Sequence, residues 1–262
     1  MHTHLLRCFG AHPGAGNPAL VVEDGDPDPA ARAALARARA TTCVFLDPPA
    51  AGDAAWTVDF YYPHMRSPLC LHATLAAAAV LFDRLPAAGP RGVRTAMHGQ
   101  WLALERTAAD YFVRLAAQPV DLPDVDAHLA AALLGVPEGA LAAAPRVASV
   151  GSPKLLAEVR DAAALHALAP DLAGIAAWGK AHGVNGIYAW CGNGDGTFEG
   201  RNFNHVDPAL EDAATGVAAG ALAALLGRGL DVRQGRAAGQ DCLIRTRVDD
   251  PHILVGGAVE KV

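Results

Sequence analysis

Two residues that could move a proton, His72 and Asp212, stand at the start of similar runs of small apolar residues. The runs read SPLCLHATLAAAAVLF and EDAATGVAAGALAALL, and their alanine and leucine content is typical of helices. An imidazole or a carboxylate placed beside a substrate can act as a general acid or base. The two residues are 140 positions apart, about half of the chain, as expected if two similar halves each supply one of them.

The two runs must also be positioned by the fold. A helix made almost wholly of Ala, Leu, Val and Gly has no polar face, which predicts that it is buried. The first N–H groups of such a helix lack internal acceptors and attract an anion. We therefore expect the helix starts at 71–74 and 214–217 to face each other across a cleft and to bind a small carboxylate beside His72 and Asp212.

The composition excludes several other classes of protein. Hydrophobic residues make up 52% of the 262 positions and charged residues 18%, which is incompatible with intrinsic disorder. The net charge of −6, without a basic block, argues against nucleic acid as a partner. No apolar run is long enough to span a membrane, and the N-terminus lacks the features of a signal peptide. The five cysteines are widely spaced and form no zinc motif, which favours a reduced, cytoplasmic protein without structural metal.

The order of strand-like and helix-like segments is repeated along the chain and predicts two lobes. Residues 1–120 form the expected N-terminal lobe, to which the C-terminal strand could cross back. Residues 121–144 form a connecting helical segment, and residues 145–262 form the C-terminal lobe.

Several motifs, in order, resemble the PhzF-like phenazine biosynthesis family of isomerases and epimerases, which has the diaminopimelate epimerase-like fold. The similar segments are FGAHPGAGNPALVV, CLHATLAAAAVL, HGQWLAL, VASVGSPKLLAEV, RNFNHVDPALEDAATGVAAGAL and RQGRAAGQDCLI. The resemblance implies an α+β fold with two pseudo-symmetric lobes, each a barrel-like sheet around a central apolar helix, and an active site in the cleft between them. It also implies cofactor-independent proton transfer on a small carboxylate, usually in a homodimer.

Carried over by position, the resemblance places the catalytic pair on His72 and Asp212, but it places Thr42 where the phenazine enzyme has its proton-shuttling glutamate. A hydroxyl without an adjacent base cannot shuttle protons as a carboxylate does, so we expect a divergent member with a changed substrate or reaction. The expected substrate-binding residues are Asn17, Thr41, Thr42, Arg66, Cys70, Leu71, Ala73, Thr215, Gly216 and Val217.

Three functions remain open at this stage. The first is a cofactor-independent isomerase or epimerase, which we expect to act in secondary metabolism. The second is a family member that has lost the proton shuttle and that binds a small molecule or guides a cyclisation or rearrangement. The third is nucleophilic catalysis by Cys70, because a thiol at a helix start can have a lowered pKa. The two-cysteine mechanism of the related racemases is not expected, since Ala213 occupies the second cysteine position.

Overall fold

The computed structural model describes residues 1–49, 55–84, 91–121, 125–204 and 211–262, and its elements form a sheet-dominated α+β fold. The strands are β1 (His2–Cys8), β2 (Asn17–Glu23), β3 (Thr42–Asp47), β4 (Trp56–Tyr61), β5 (Arg66–Ser67), β6 (Gly92–Thr95), β7 (Trp101–Arg106), β8 (Tyr111–Ala116), β9 (Arg146–Ala148), β10 (Lys154–Glu158), β11 (Ile187–Gly192), β12 (Phe198–Phe203), β13 (Asp231–Gln234), β14 (Cys242–Asp249), β15 (His252–Gly257) and β16 (Val259–Lys261). The helices are α1 (Pro29–Arg39), α2 (Leu71–Arg84), α3 (Ala127–Leu134), α4 (Ala162–His166), α5 (Leu172–His182) and α6 (Gly216–Leu226), with 3₁₀ turns at Glu138–Ala140 and Arg236–Ala238.

The chain divides into two compact units, and the first contains residues 1–115 and 256–262. Its strands follow one another in the order β16, β1, β2, β3, β4, β6, β7 and β8, and β5 pairs with β4. Two pairs are parallel: β2 with β3, connected by α1, and β4 with β6, connected by β5 and α2. Helix α2 packs against β1, β2, β3, β4 and β16, so the strands of this unit surround it on several sides.

The second unit, residues 116–255, has a comparable connectivity. Its strands follow the order β15, β14, β13, β12, β11, β10 and β9. The pair β10–β11 is parallel and connected by α4 and α5, and the pair β12–β13 is parallel and connected by α6. Helix α6 packs against β9, β10 and β14. The opposite face of the sheet carries a hydrophobic cluster that includes Leu155, Ile187 and Phe203 from the strands and Leu134, Leu165 and Ile175 from α3, α4 and α5.

The compact units can be compared with the expected segments at two places, which are the connecting segment and the C-terminal strand that could cross back to the first lobe. The predicted connecting segment, 121–144, supplies α3, whose Leu133 and Leu134 are buried in the core of the second unit. The last strand, β16, returns to the first unit because it pairs with β1, with Leu6 opposite Lys261. Hydrophobic burial and strand pairing therefore place the division at 115/116 and at 255/256, rather than at 120/121 and 144/145.

The two apolar helices are buried as their composition predicts. Every residue from Leu71 to Leu81 of α2 is buried, and seven of the residues of α6 are buried, most of them Ala or Gly. Gly220 of α6 lies so close to Val150 and Val255 that an added Cβ would meet each of them at 2.8 Å. Small side chains thus let strands approach both helices closely. No helix in the described parts of the chain is long and apolar enough to cross a membrane.

A larger side chain in α2 should be costly because the helix has no space around it. We expect Ala77→Leu to lower the free energy of unfolding by about 1–3 kcal/mol through overpacking, since Ala77 is 0% exposed. The matched control is Ala34→Leu on the exposed side of α1, which should change stability by less than about 0.5 kcal/mol. Urea denaturation of the three proteins measures the difference, and equal midpoints would contradict tight packing around α2.

Candidate functional site

The start of α2 brings two of the candidate residues into contact. Cys70 is the N-terminal flanking residue, and its carbonyl accepts both the backbone N–H of Thr74 at 2.9 Å and its hydroxyl at 2.8 Å. The Cys70 thiol lies 3.3 Å from Nδ1 of His72, and the Tyr62 hydroxyl donates to the same sulfur at 3.3 Å. Hydroxyl, thiol and imidazole therefore form one hydrogen-bonded group at the buried end of this helix.

Burial determines the charge state of His72. His72 is 7% exposed, and burial lowers the pKa of its imidazole from 6.5 to about 4. At neutral pH the imidazole is uncharged, so one ring nitrogen is available to accept a proton or a hydrogen bond. Leu71 and Ala73 are buried on either side of His72. The N–H groups of these three residues come before that of Thr74, which is the first to bond back within the helix.

Two of the other predicted binding residues, Thr42 and Asn17, lie on strands of the first unit, and Thr41 lies just before one of them. Thr42, at the start of β3, is buried, and it pairs in register with Ala19 of β2. Thr41 precedes Thr42, and the Thr41 carbonyl lies 3.7 Å from the Cys43 thiol. Burial raises the pKa of this thiol to about 11. Asn17 begins β2 opposite Cys8. Gly16 before it has φ of +117°, and an added Cβ would meet the Cys8 carbonyl at 2.8 Å, so this turn requires glycine.

Arg66, predicted to bind a substrate carboxylate, is already paired with a buried carboxylate of the protein. Its Nε and Nη2 donate to the two oxygens of Asp59 at 2.8 and 3.0 Å. The same Asp59 accepts from buried Arg32, which also forms two bonds with Asp47. Arg66 therefore uses its two parallel N–H donors to bind a carboxylate of the protein, and it neutralises a buried charge.

The start of α6 holds Asp212 in a hydrogen-bond network. Its Oδ2 accepts from the amides of Asn202 at 2.8 Å and Asn204 at 3.3 Å, and from the Thr215 hydroxyl at 3.1 Å. Within the described residues, all hydrogen bonds to this carboxylate end on Oδ2, so Oδ1 is the oxygen left to accept a proton. Asp212 is half-buried, which leaves it open to a small molecule.

Gln234 of β13 fixes the backbone at the same helix start. Its amide donates to the Asp212 carbonyl at 2.9 Å and to the Thr215 hydroxyl at 3.0 Å, and its oxygen accepts from the Thr215 N–H at 3.2 Å. The Tyr188 hydroxyl donates to that oxygen at 3.2 Å. Gly216 and Val217 follow as the first two helical residues, ahead of Ala218, whose N–H is the first to bond back to Thr215.

Glu211 has a separate, structural role. It forms a bidentate pair with Arg201, at 3.0 Å from Nε and 2.8 Å from Nη2, and Arg201 also donates to the carbonyl of Leu165 in α4. This pair ties the segment before α6 to the helices on the other face of the sheet.

The sequence interpretation missed the residues that hold Asp212, which are Asn202, Asn204 and Gln234, and it missed the buried Lys154. Lys154 and Gln234 lie in segments that resemble the family, VASVGSPKLLAEV and RQGRAAGQDCLI, but neither residue was predicted to have a role at the site. A lysine at the head of the apolar strand KLLAEV is unusual enough to have marked the position, whereas nothing local singled out the two asparagines. Among the described residues, no three His, Cys, Asp or Glu side chains form a group that could hold a metal ion.

The lowered pKa of His72 predicts a specific loss of stability in acid. Between pH 6.5 and 4 the unfolded chain binds a proton at His72 that the folded chain does not, so the free energy of unfolding falls as the pH falls. The loss at pH 4 relative to pH 8 should be about 3 kcal/mol larger in wild type than in His72→Gln, at about 1.4 kcal/mol per pKa unit.

Urea denaturation at the two pH values measures this difference, and the carboxylates shared by both proteins cancel. The exposed His64, replaced by Gln, serves as the control and should behave as wild type. Equal acid sensitivity of wild type and His72→Gln would contradict the burial of a neutral imidazole.

Comparisons with known proteins agree with the arrangement of elements. The model of the phenazine biosynthesis-like protein family PhzC-PhzF matches residues 6–260. The uncharacterized isomerase YddE of Escherichia coli (strain K12) is 28% identical over 210 residues, which cover 73% of this chain and 71% of YddE.

Solved structures show the same fold. A predicted epimerase from Pseudomonas aeruginosa has a TM-score of 0.81 and 25% identity, over 99% of this chain and 96% of that one. A PhzF-family phenazine biosynthesis protein from Bacillus anthracis also has a TM-score of 0.81, with 18% identity, over 100% and 98% of the two chains. A probable proline racemase from Agrobacterium radiobacter K84 is more distant, at a TM-score of 0.61 and 11% identity over 99% of this chain and 90% of that one. With a family model matching almost the whole sequence, the chain belongs to the phenazine biosynthesis-like protein family, PhzC-PhzF.

Proposed function

We propose that this protein is a cofactor-independent isomerase or epimerase that transfers a proton on a small carboxylate, with His72 and Asp212 as the proton-handling pair. The observation that carries the proposal is the placement of each residue at the start of a buried small-residue helix, His72 within the first turn of α2 and Asp212 just before α6. The names of the relatives, isomerase YddE and the predicted epimerase, support this general class of reaction.

The two residues suit complementary parts of a proton transfer. The His72 imidazole is uncharged at neutral pH and can accept a proton from carbon or hold a hydrogen bond. Asp212 presents Oδ1 while three hydrogen bonds hold Oδ2 in place. Positioning by fixed donors limits the reorganisation needed during reaction. The leading N–H groups of α2 and α6 favour a negatively charged substrate group near each of these side chains.

Thr42 separates this proposal from the reaction of the phenazine enzyme. The residue at the glutamate position is a buried threonine on β3, and a hydroxyl cannot replace the carboxylate as a proton carrier. We therefore propose that another carboxylate is the substrate. Action within secondary metabolism and assembly as a homodimer remain predictions that follow from the family resemblance.

Solvent exchange tests the proposed proton transfer. In ²H₂O, the protein should catalyse deuterium incorporation at a carbon next to the carboxylate of at least one compound in a panel of amino acids that includes proline and hydroxyproline, followed by ¹H NMR. His72→Asn and Asp212→Asn should each reduce the exchange rate by at least about 100-fold, because each removes a titrating group and keeps its approximate shape.

The matched controls are His64→Asn and Asp231→Asn, both at exposed positions, which should exchange as fast as wild type. Circular dichroism and thermal unfolding establish that all four variants are folded. Retained exchange in both His72→Asn and Asp212→Asn would eliminate this mechanism. Ligand binding without any exchange would instead favour the family member that has lost proton transfer.

A second candidate, nucleophilic catalysis by Cys70, is favoured by the contact between its thiol and His72. An imidazole 3.3 Å from a sulfur can accept the thiol proton and produce the nucleophilic thiolate. The thiol is, however, buried at 3% exposure, which restricts its access to substrate.

Replacement of Cys70 distinguishes the two candidates. Under the proposed proton transfer, Cys70→Ala should keep exchange activity to within about tenfold of wild type, because His72 remains the base. Cys191→Ala, at another buried cysteine on β11, controls for the loss of a buried sulfur. If Cys70→Ala lost all exchange activity while Cys191→Ala remained active, nucleophilic catalysis by Cys70 would be favoured instead.

A further inference from the structure

Lys154 is a buried charged residue that the proposed proton transfer does not yet use. It begins β10, is 1% exposed, and is followed by Leu155 and Leu156. Burial of an ammonium group is unfavourable unless acceptors and a counter-charge surround it. Its Nζ donates to the Asn185 carbonyl, which fixes the end of the side chain, and one acceptor leaves two of its three N–H groups for other partners.

The register of the sheet determines which face carries Lys154. Leu156, Tyr188 and Asn202 lie side by side on β10, β11 and β12, so their side chains share one face. Lys154 lies two residues before Leu156 on the same strand and therefore has the same orientation. The intervening row, Leu155, Ile187 and Phe203, points to the opposite face and packs in the hydrophobic cluster with α3, α4 and α5.

The face that carries Lys154 is also the face that holds Asp212. Asn202 donates to Asp212, and Tyr188 reaches Gln234, which bonds to the backbone of Asp212. Helix α6 packs against β10 on this side. A lysine and an aspartate more than fifty positions apart in sequence thus share one polar layer between the sheet and the start of α6.

The electrostatics of Lys154 involve Asp212 specifically. Burial lowers the pKa of Lys154 to about 8, while the charge of Asp212 acts in the opposite direction and favours the ammonium form. Most of the lysine is therefore protonated at neutral pH.

The other titratable side chains that the sheet register places on this face are Arg146 on β9, Glu158 on β10, Tyr188 on β11 and Cys242 on β14. Helix α6 contributes none, and Arg201 and Glu211 neutralise each other.

We propose that Lys154 is a positioning residue for Asp212, and that its buried ammonium group supplies the positive charge that complements this carboxylate across the polar layer. Its importance for catalysis rests on the proposed function of Asp212. Asn202, Asn204 and Thr215 hold the orientation of the carboxylate through Oδ2, and Lys154 supplies the compensating charge. A buried lysine that only filled space would be replaceable by methionine at no cost to Asp212.

Titration of the lysine tests the coupling without any substrate. The chain contains only three lysines, Lys154, Lys180 and Lys261, so ¹³Cε-lysine labelling gives three signals. The midpoint of Lys154 should lie well below those of the exposed Lys180 and Lys261 in wild type. In Asp212→Asn it should fall by a further pH unit or more, about a tenfold change in proton affinity, because the opposing charge is gone.

Glu158→Gln is the matched control, since it removes another carboxylate from the same strand and face. Its Lys154 midpoint should stay within about 0.3 units of wild type. A midpoint for Lys154 that does not change in Asp212→Asn would overturn the proposal, whether or not the protein catalyses exchange. If only the exchange reaction failed, the proposed function would be rejected. The titration would still decide whether Lys154 and Asp212 are coupled.

The reciprocal variant provides the catalytic readout. Lys154→Met, which replaces the stem of the side chain with an apolar one, should remain folded and should move the acid limb of the exchange rate to higher pH by about one unit, because the buried positive charge that opposes protonation on this face is gone. An unshifted acid limb in a folded Lys154→Met protein would overturn the positioning role.

Discussion

Burial of one small-residue helix in each compact unit is the constraint on which the rest of this structure depends. Helices α2 and α6 can lie close to their strands only because their side chains are mostly alanine, glycine and other small groups. Burial also removes the first N–H groups of each helix from water, and these groups then need polar partners. The polar residues at the two helix starts follow from this requirement, and the candidate chemistry lies there.

The two helix starts meet that requirement by different means. In the first unit a thiol, a phenol and a neutral imidazole are grouped around Cys70. In the second unit a hydrogen-bond network holds Asp212, with two asparagine amides and a threonine hydroxyl. A group buried without a counter-charge tends to be neutral. The two helix starts therefore give their candidate residues different local environments.

Much of the fold could be predicted from local pattern. The lack of a polar face predicted that α2 and α6 are buried, and the residues flanking these helices could be read directly because helix starts have local signatures. The order of motifs predicted the family, which the family model confirms. The return of the C-terminal strand was predicted only as possible, because no local signal identifies a strand's distant partner: β16 pairs with β1 across more than 250 positions.

Residue type and helical spacing were sufficient to predict which helices are buried and that His72 and Asp212 lie at their starts. The partners of those residues depend on contacts between distant parts of the chain. Arg66 pairs with Asp59, and Asn202 and Gln234 reach Asp212 from separate strands. Lys154 shares a face with them because β10, β11 and β12 pair in one register. Alternation along a strand indicates which side chains share a face, but strand pairing alone determines which charges become neighbours.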